Sequence, residues 1–322
     1  MTRGHTRRPG YRPRLAAALV AWLAFAPIAV APIAVANEIV RVVHTSSSTY
    51  TAAFAALDQG FFAAHGLDVR FSQTAINSNI PAALLSGSAD IGGPSSAVMI
   101  QAVDGGLALL AIAGTGLAYP GGTNEAAVAR PDAGIHAPAD YIGRRVGVPG
   151  IGVITDIFFR YWLIANHVDP AKVIYAEVAN PQQYDALRGG GVDAVAANDP
   201  QLFRLIRSGV GVEAGRFLDA LPGAIPIIVY AVTPDYAARH RATVLAFQAA
   251  HREGVAYVEQ HPDEARAILA RHLHLSDEVV KDMEMPKYQA DIAPEQIGRM
   301  IDIMQRLNML QSHPDPAALV FR

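Results

Sequence analysis

The sequence contains no cysteine among its 322 residues. This excludes disulfides, thiolate metal ligands, a cysteine nucleophile and a lipid anchor attached through an N-terminal cysteine. A chain of this length buries enough apolar surface to be stable without cross-links. Charged residues are few, at 17%, whereas 51% are hydrophobic, so the composition is that of a globular protein.

The familiar sequence patterns of enzymes are also missing. The chain has no Gly-x-Ser-x-Gly elbow, no phosphate-binding Gly-x-x-x-x-Gly-Lys-Ser/Thr loop and no His-Glu-x-x-His zinc helix among its eleven histidines. His272 and His274 are two positions apart, which does not bring them to one face of a helix. We therefore expect a protein that is not an enzyme and that holds no cofactor or metal.

The distribution of charge argues against nucleic acid as a partner. Five arginines and no acidic residue lie in residues 1–36, so the remaining chain carries a net charge of −8. Its basic residues form no stripe interleaved with aromatic residues, as a nucleic-acid surface would require.

Residues 1–36 have the organisation of a secretory signal peptide. A basic start precedes an apolar run from Leu15 to Ala36 that ends in Ala-Val-Ala, which predicts cleavage after Ala36 and a periplasmic protein. An uncleaved membrane anchor is the alternative, but Pro27 and Pro32 would break such a helix. Arg7-Arg8 resembles a twin-arginine signal, although Pro9-Gly10 stands where bulky apolar residues are expected.

The most informative feature is a repeated motif. Ala83 to Asp90 and Ala186 to Asp193 both follow Ala-Leu-x-x-Gly-x-x-Asp, and each ends a strand-helix-strand-helix-strand pattern of nearly equal length. The first pattern starts at the strand Ile39 to Val43 and the second at Arg145 to Val148. We interpret these as two similar α/β lobes with a cleft between them, and we expect the two aspartates to have a structural role.

The order of the elements predicts the domain boundaries. Glu125 to Ala129 is predicted to lead into the second lobe and Ala224 to Val232 to bring the chain back. The first lobe then comprises 37–124 plus 225–322 and the second comprises 125–224. Two crossing strands would act as a hinge that allows closure around a ligand.

Candidate ligand-binding residues follow the strands, where the carboxyl ends of parallel strands form a crevice. Some could instead serve as helix caps or core side chains: Asp199 could cap the next helix, and Tyr230 could fill the core. In the first lobe the candidates are Ser46, Ser47, Ser48, Thr49, Tyr50, Ser95, Ser96, Thr115 and Tyr230. In the second lobe they are Gly150, Gly152, Thr155, Asn198 and Asp199.

The chain resembles the substrate-binding proteins of ABC importers, in the sulfonate, nitrate, taurine and thiamine-precursor (NMT1/THI5-like) family. The resemblance rests on Ala55 to Val69, similar to that group's A-x-x-x-G-[YF]-F-x-x-x-G-L-D-V. It continues through Leu84 to Ile91, Gly143 to Val148 and Leu187 to Pro200. It implies a type II periplasmic-binding-protein fold with two three-layer α/β domains joined by two crossing strands. It also implies a monomer that delivers a small ligand to a membrane permease and its ATPase.

The identity of the ligand stays open at this stage. The candidate loops contain no well-placed arginine or lysine, so a small anion would depend on N–H groups and hydroxyls. A serine run stands where the family usually has a proline or an aromatic residue, and an uncharged or heterocyclic ligand is the alternative. An enzyme on the same fold and a sensor that docks on a receptor are the other classes to be distinguished.

Overall fold

The structure is a computed structural model that describes residues 1–2, 4–5, 10 and 37–322. The predicted signal peptide lies almost wholly outside the described residues. The chain divides into two units, Met1–Val35 and Ala36–Arg322, and the fold described below is that of the second. Within the described part of the chain, no helix is long and apolar enough to cross a membrane.

Twelve strands and twelve α-helices are found in the described residues. The strands are β1 (Glu38–His44), β2 (Leu67–Gln73), β3 (Ile91–Gly92), β4 (Leu110–Gly114), β5 (Leu117–Ala118), β6 (Glu125–Ala129), β7 (Arg145–Val148), β8 (Ile174–Glu177), β9 (Ala194–Asn198), β10 (Val212–Gly215), β11 (Ile225–Pro226) and β12 (Val229–Val232). The helices are α1 (Thr51–Asp58), α2 (Phe61–Ala64), α3 (Ile80–Leu85), α4 (Ser96–Asp104), α5 (Ile154–Ala165), α6 (Gln183–Arg188), α7 (Gln201–Arg207), α8 (Pro234–Arg239), α9 (Arg241–Gln260), α10 (Pro262–Leu273), α11 (Asp277–Val280) and α12 (Pro294–Arg306).

The two large sheets have the same topology. The first has the order β2-β1-β3-β12-β4 and the second, read in the same direction, β8-β7-β9-β6-β10. The first three positions of each sheet are parallel, and the fourth strand is antiparallel to both neighbours. The duplication predicted from the repeated motif is therefore confirmed, as is the two-lobed α/β fold.

The repeated aspartates perform the same structural task in each sheet. Asp90 accepts a hydrogen bond from the Arg41 backbone N–H at 2.8 Å, and Asp193 accepts one from the Arg145 N–H at 2.9 Å. Each aspartate N–H donates in return to the carbonyl of the same arginine. The glycine three positions earlier has a positive φ in both repeats, 69° at Gly87 and 72° at Gly190. The motif thus fixes the start of a strand, as predicted.

Replacing Asp193 with alanine tests this structural role. We expect Asp193→Ala to lower the free energy of unfolding by about 1–3 kcal/mol, because the Arg145 N–H loses its acceptor. Asp185→Ala removes only an exposed pair with Arg188 and should change stability by less than about 0.5 kcal/mol. Denaturant unfolding measures both, and equal stability of the two variants would contradict the structural role of Asp193.

A short two-stranded sheet marks the two crossings between the large sheets. β5 pairs antiparallel with β11, with Ala118 opposite Ile225 and Leu117 opposite Pro226. The segment Glu125 to Ala129, predicted to lead into the second lobe, is strand β6 of the second sheet, and the crossing itself lies before it at β5. The predicted return strand from Ala224 to Val232 is divided into β11 and β12, which belong to different sheets.

Other predicted boundaries also change. The helix predicted from Ala52 to His65 is two helices, because Gly60 adopts a positive φ of 76° between them. The helix predicted from Asp235 to Gln260 is interrupted at His240, whose φ and ψ of −121° and 38° are not helical. Strand β10 was not predicted; it lies at the edge of its sheet, and Val212 and Glu213 are exposed there.

Candidate functional site

A small polar cavity lies where the loops of the two sheets meet. Its volume is about 40 Å³. A single water requires roughly 10–15 Å³, so the cavity has room for about three. A larger solute is accommodated only by less complete closure of the two lobes. The lining residues are Thr45, Ser47, Ala75, Asn77, Ser95, Pro149, Val153, Ile154, Thr155, Asn180, Asn198, Ile227 and Ile228.

The first lobe contributes hydroxyl groups to this cavity. Ser47 Oγ accepts a hydrogen bond from the Thr49 N–H at 3.3 Å and lies 3.0 Å from Thr49 Oγ1. Ser95 caps α4, with its Oγ accepting from the Val98 N–H at 3.2 Å. In the described residues Ser95 Oγ donates to no protein acceptor, so its hydroxyl hydrogen is available to a bound solute.

The second lobe contributes two asparagines and the start of α5. Asn198 is the last residue of β9, and its Nδ2 lies 3.4 Å from Ser47 Oγ. Asn180 Nδ2 donates to the Ser46 carbonyl at 2.9 Å. Val153, at the N-cap of α5, supplies no side-chain hydrogen bond, so the first N–H groups of this twelve-residue helix have no capping side chain. The positive end of the helix dipole therefore lies at the cavity wall.

Direct hydrogen bonds across the cleft indicate a closed form of the protein. The Ser48 N–H donates to the Asp199 carbonyl at 3.1 Å, and Gln101 Nε2 donates to the Gly152 carbonyl at 2.9 Å. Together with the bonds made by Asn180 and Asn198, these join loops of one lobe to loops of the other. Farther out, Arg207 of α7 forms a salt bridge with Asp282.

Four of the predicted residues line the cavity, namely Ser47, Ser95, Thr155 and Asn198. Gly150 and Gly152 belong to the loop before α5, and the Gly152 N–H donates to Asp156 at 2.8 Å. Ser46 and Ser48 make backbone hydrogen bonds across the cleft.

Other predicted residues make contacts within the fold. Tyr50 donates to the Gly93 carbonyl at 2.6 Å, and burial raises its pKa to about 12. Ser96 donates to the Pro226 carbonyl at 2.7 Å and Thr115 to the Ile228 carbonyl at 3.2 Å, so both hold the returning chain. Thr49 pairs with Ser47.

Asp199 and Tyr230 lie outside the cavity lining. Asp199 Oδ1 accepts from the Phe203 N–H at 3.1 Å, which is the helix-capping role considered as its alternative. Tyr230 packs against the rings of Tyr50 and His251 in the core, and its hydroxyl has no hydrogen-bond partner in the described residues.

Sequence reasoning missed two asparagines that line the cavity. Asn77 accepts from the Ser95 N–H at 2.7 Å and donates to the Gly93 carbonyl at 3.3 Å. Asn77 follows β2 and Asn180 follows β8, strands that occupy matching places in the two sheets. Comparing the two repeats beyond their shared aspartates would have found this pair.

A buried glutamate beside the cavity was also missed. Glu125 is 1% exposed and lies opposite Asn198 in the pairing of β6 with β9. Burial raises the pKa of Glu125 to about 8, the nearby Thr155 hydroxyl lowers it in part and Asp199 raises it further. Neither carboxylate oxygen makes a hydrogen bond of normal geometry within the described residues.

Asp199 is the second buried acid of this region. Its pKa is raised to about 8, mainly by burial, with the Phe203 N–H acting against the shift and Glu284 adding to it. In the described residues no group of three or more histidine or acidic side chains could hold a metal ion. Among the described residues that line the cavity there is neither lysine nor arginine.

Two similar α/β lobes with a polar cavity between their facing loops define a two-lobed binding-protein fold. The NMT1/THI5-like family model matches residues 47–265, and the chain belongs to this family. This confirms the resemblance seen in the sequence.

Solved structures of transporter binding proteins have the same fold. The alkanesulfonate-binding protein SsuA of Xanthomonas axonopodis pv. citri, solved with MOPS bound, superposes with a TM-score of 0.76 at 17% identity, covering 90% of this chain and 100% of that one. The periplasmic nitrate-binding protein NrtA of Synechocystis PCC 6803 superposes with a TM-score of 0.74 at 15% identity, and the match covers 88% of this chain and 84% of that one.

A curated relative matches over a shorter region. The bicarbonate transport ATP-binding protein CmpC of Synechocystis sp. is 28% identical over 127 residues, which is 38% of this chain. The chain spans about a fifth of the length of this relative, 19%.

Proposed function

We propose that the protein is the solute-binding component of an ABC importer. It captures a small anion of the sulfonate, nitrate or taurine type between its two lobes and delivers it to a membrane permease that works with an ATPase. The observation that carries this proposal is the polar cavity whose walls come from matching loops of both lobes. Family membership and the names of the similar binding proteins support it.

In this proposal an anion is held without a formal positive charge. The N-terminal N–H groups of α5 and the hydroxyls of Ser47 and Ser95 supply the hydrogen bonds. A ligand with its own N–H donors, such as a thiamine-precursor pyrimidine, is the alternative, because the side-chain oxygens of Asn180 and Asn198 have no partner in the described residues.

The proposal includes the organisation and location of the protein. Residues 37–124 plus 225–322 form one lobe and 125–224 the other, with closure about the crossings. Residues 1–36 direct secretion to the periplasm and are removed. The protein works there as a monomer and performs no catalysis.

A thermal-shift screen tests the proposal. The compounds are taurine, alkanesulfonates, nitrate, bicarbonate, carboxylates and pyrimidines. A ligand present at about 100 times its Kd adds about 2.7 kcal/mol to the stability of the folded protein, so we expect one class to raise Tm by about 5 °C or more. Chemical conversion of the bound compound, or no shift with any class in a folded preparation, would contradict the proposal.

A further inference from the structure

The segment between α11 and α12 lies along the crossing that leads from the first sheet to the second. It comprises residues 281–292, and we call it the strap. The Leu117 N–H of β5 donates to the Lys287 carbonyl of the strap at 2.9 Å. Gly116 and Tyr288 form an antiparallel bridge next to this bond. Because β5 also pairs with β11, the first crossing lies between the strap and the second crossing.

The strap is attached to the first lobe at both ends. Arg266 of α10 donates to the Met283 carbonyl at 3.2 Å, near the beginning of the strap. The Gly114 N–H, at the end of β4, donates to the Ala290 carbonyl at 2.7 Å. The strap therefore moves with the helices and the sheet of the first lobe.

The beginning of the strap also contacts the second lobe. Asp282 forms a salt bridge with Arg207 of α7, and both side chains are about half exposed. The hydrogen bond from Arg207 lowers the pKa of Asp282, so this carboxylate is charged at neutral pH. Within the described residues it is the only salt bridge between 125–224 and the rest of the chain. Helix α11, directly before the strap, lines a groove of about 260 Å³ together with α7.

The middle of the strap reaches the loop that lines the cavity. Tyr288 is 5% exposed, and its hydroxyl donates to the Ser48 carbonyl at 3.0 Å. The Ser48 N–H in turn donates to the Asp199 carbonyl of the second lobe at 3.1 Å. Helix α7 begins two residues after Asp199. Both partners of this bond across the cleft are therefore connected to the strap, Ser48 through Tyr288 and Asp199 through α7.

We propose that the strap and its Arg207–Asp282 salt bridge hold the two lobes closed, so that solute exchange is controlled partly from outside the cavity. The inference rests on the proposed function, in which the lobes close around a solute. The contacts that join the lobes are all between protein groups, so the closed form exists without solute. A solute enters or leaves only when the lobes part, and the salt bridge breaks in that step. Arg207 and Asp282 are therefore positioning residues that do not touch the solute.

A distance measurement between two spin labels tests the inference. The chain has no cysteine, so Ser72→Cys on β2 and Lys172→Cys before β8 provide two exposed labelling sites, one in each lobe. Pulsed electron paramagnetic resonance then gives the ratio of closed to open molecules with no solute added. An exposed ion pair changes an equilibrium by up to about fivefold, so we expect Asp282→Asn to lower this ratio roughly two- to fivefold.

Three further variants identify the salt bridge as the cause. Asp282→Glu keeps the charge and should restore most of the closed form. Arg207→Gln, alone or combined with Asp282→Asn, should give the same ratio as Asp282→Asn, because each variant removes the same pair. Asp185→Asn is the matched control, since it removes an exposed pair with Arg188 that lies within one lobe, and it should leave the ratio unchanged.

Salt gives a readout that a merely structural role would not change. The screening length falls from about 10 Å at 0.1 M salt to about 3 Å at 1 M. The labelled protein should therefore open as salt is raised, and its Asp282→Asn variant should respond less. The salt series on the protein with Arg207 and Asp282 intact needs no variant of the strap, so a variant that fails to fold leaves the test intact.

The outcomes separate the inference from the proposed function. A single open distance in the solute-free protein, an equal ratio with and without Asp282→Asn, or a ratio that does not depend on salt would contradict the role of the strap and leave solute import standing. Failure of every compound of the thermal-shift screen to bind a folded preparation would instead contradict the proposed function.

Discussion

Raising the pH from 5 to 9 is expected to lower the free energy of unfolding of the ligand-free protein by several kcal/mol. Glu125 and Asp199 have pKa values raised to about 8 from 4.5 and 3.8, chiefly by burial. Between those values the folded protein binds more protons than the unfolded chain, so stability falls as the pH rises and levels off above the folded-state pKa. A pKa that is higher by one in the folded state than in the unfolded chain is equivalent to about 1.4 kcal/mol, and each acid loses about three such units between pH 5 and 8, so the combined contribution of the two acids is roughly 8 kcal/mol.

Acids with lowered pKa values do not obscure this effect. Asp90 and Asp140 are examples, and their contribution to stability is lost only as the pH falls below the usual range of a carboxyl group. Buried His251 and His44 act in the opposite direction, because burial lowers the pKa of His251 to about 4 and also lowers that of His44, so both add stability as the pH rises to about 6.5. The fall above about pH 6.5 is therefore the part assigned to the buried pair of acids.

Urea unfolding at each pH measures the loss. The double variant Glu125→Gln, Asp199→Asn replaces both acids with neutral groups of the same shape, and it should lose most of the fall in stability above about pH 6.5. The control Glu213→Gln should keep the slope of the unaltered protein. A stability that is constant or rises between pH 5 and 9 in the unaltered protein would refute the assignment.

Adding a single methyl group at Gly254 should also lower the free energy of unfolding by several kcal/mol. Gly254 lies in α9 where this helix crosses α1, and an added Cβ would lie 2.1 Å from the Ala52 carbonyl oxygen and 2.9 Å from the Ala56 Cβ. The carbonyl oxygen is a backbone atom of α1 and the Cβ is bonded to that backbone, so neither can move alone. Helices α1 and α9 must therefore separate to admit the methyl group. We expect Gly254→Ala to reduce the free energy of unfolding by about 3 kcal/mol or more.

The same substitution in another helix provides the control. At Gly298 in α12 an added Cβ meets only Pro316 Cγ at 3.4 Å, and Gly298→Ala should be neutral or stabilise by up to about 1 kcal/mol. Denaturant unfolding compares the two. Because α1 begins directly after the serine loop of Ser46 to Tyr50, Gly254→Ala should also weaken ligand binding. Equal stability of the two variants would show that α1 and α9 are not packed as described.

The fold could be predicted because the same sequence motif occurs once in each of the two lobes. The two copies of Ala-Leu-x-x-Gly-x-x-Asp carry a positive-φ glycine and an aspartate that binds backbone N–H groups, and such local requirements can be read from residue types. The edge strand β10 has no such requirement, since Val212 and Glu213 are exposed. The division of Ala224 to Val232 between two sheets depends on partners far away in the sequence.

The site could be predicted at the level of loops and less well at the level of side chains. The serine loop, Ser95 and Asn198 follow strands whose ends must meet, so topology brings them together. The direction of a side chain depends on packing, which turned Tyr50 towards Gly93 and Tyr230 into the core. Glu125 was missed because an acid at the start of a strand has no motif, and its burial is visible only in three dimensions.

The central claim is that the solute binds in the cavity between the lobes, and one titration tests it most directly. The compound identified by thermal shift is titrated calorimetrically into the unaltered protein and into the triple variant Ser47→Ala, Ser95→Ala, Asn198→Ala. Loss of hydrogen bonds worth about 1 kcal/mol each predicts affinity roughly 100-fold weaker. Loss of the Ser95 cap of α4 should also lower the free energy of unfolding by about 1 kcal/mol, which leaves the variant folded. The control Ser72→Ala, on the exposed end of β2, should bind as before. Unchanged affinity in the folded triple variant would contradict the account.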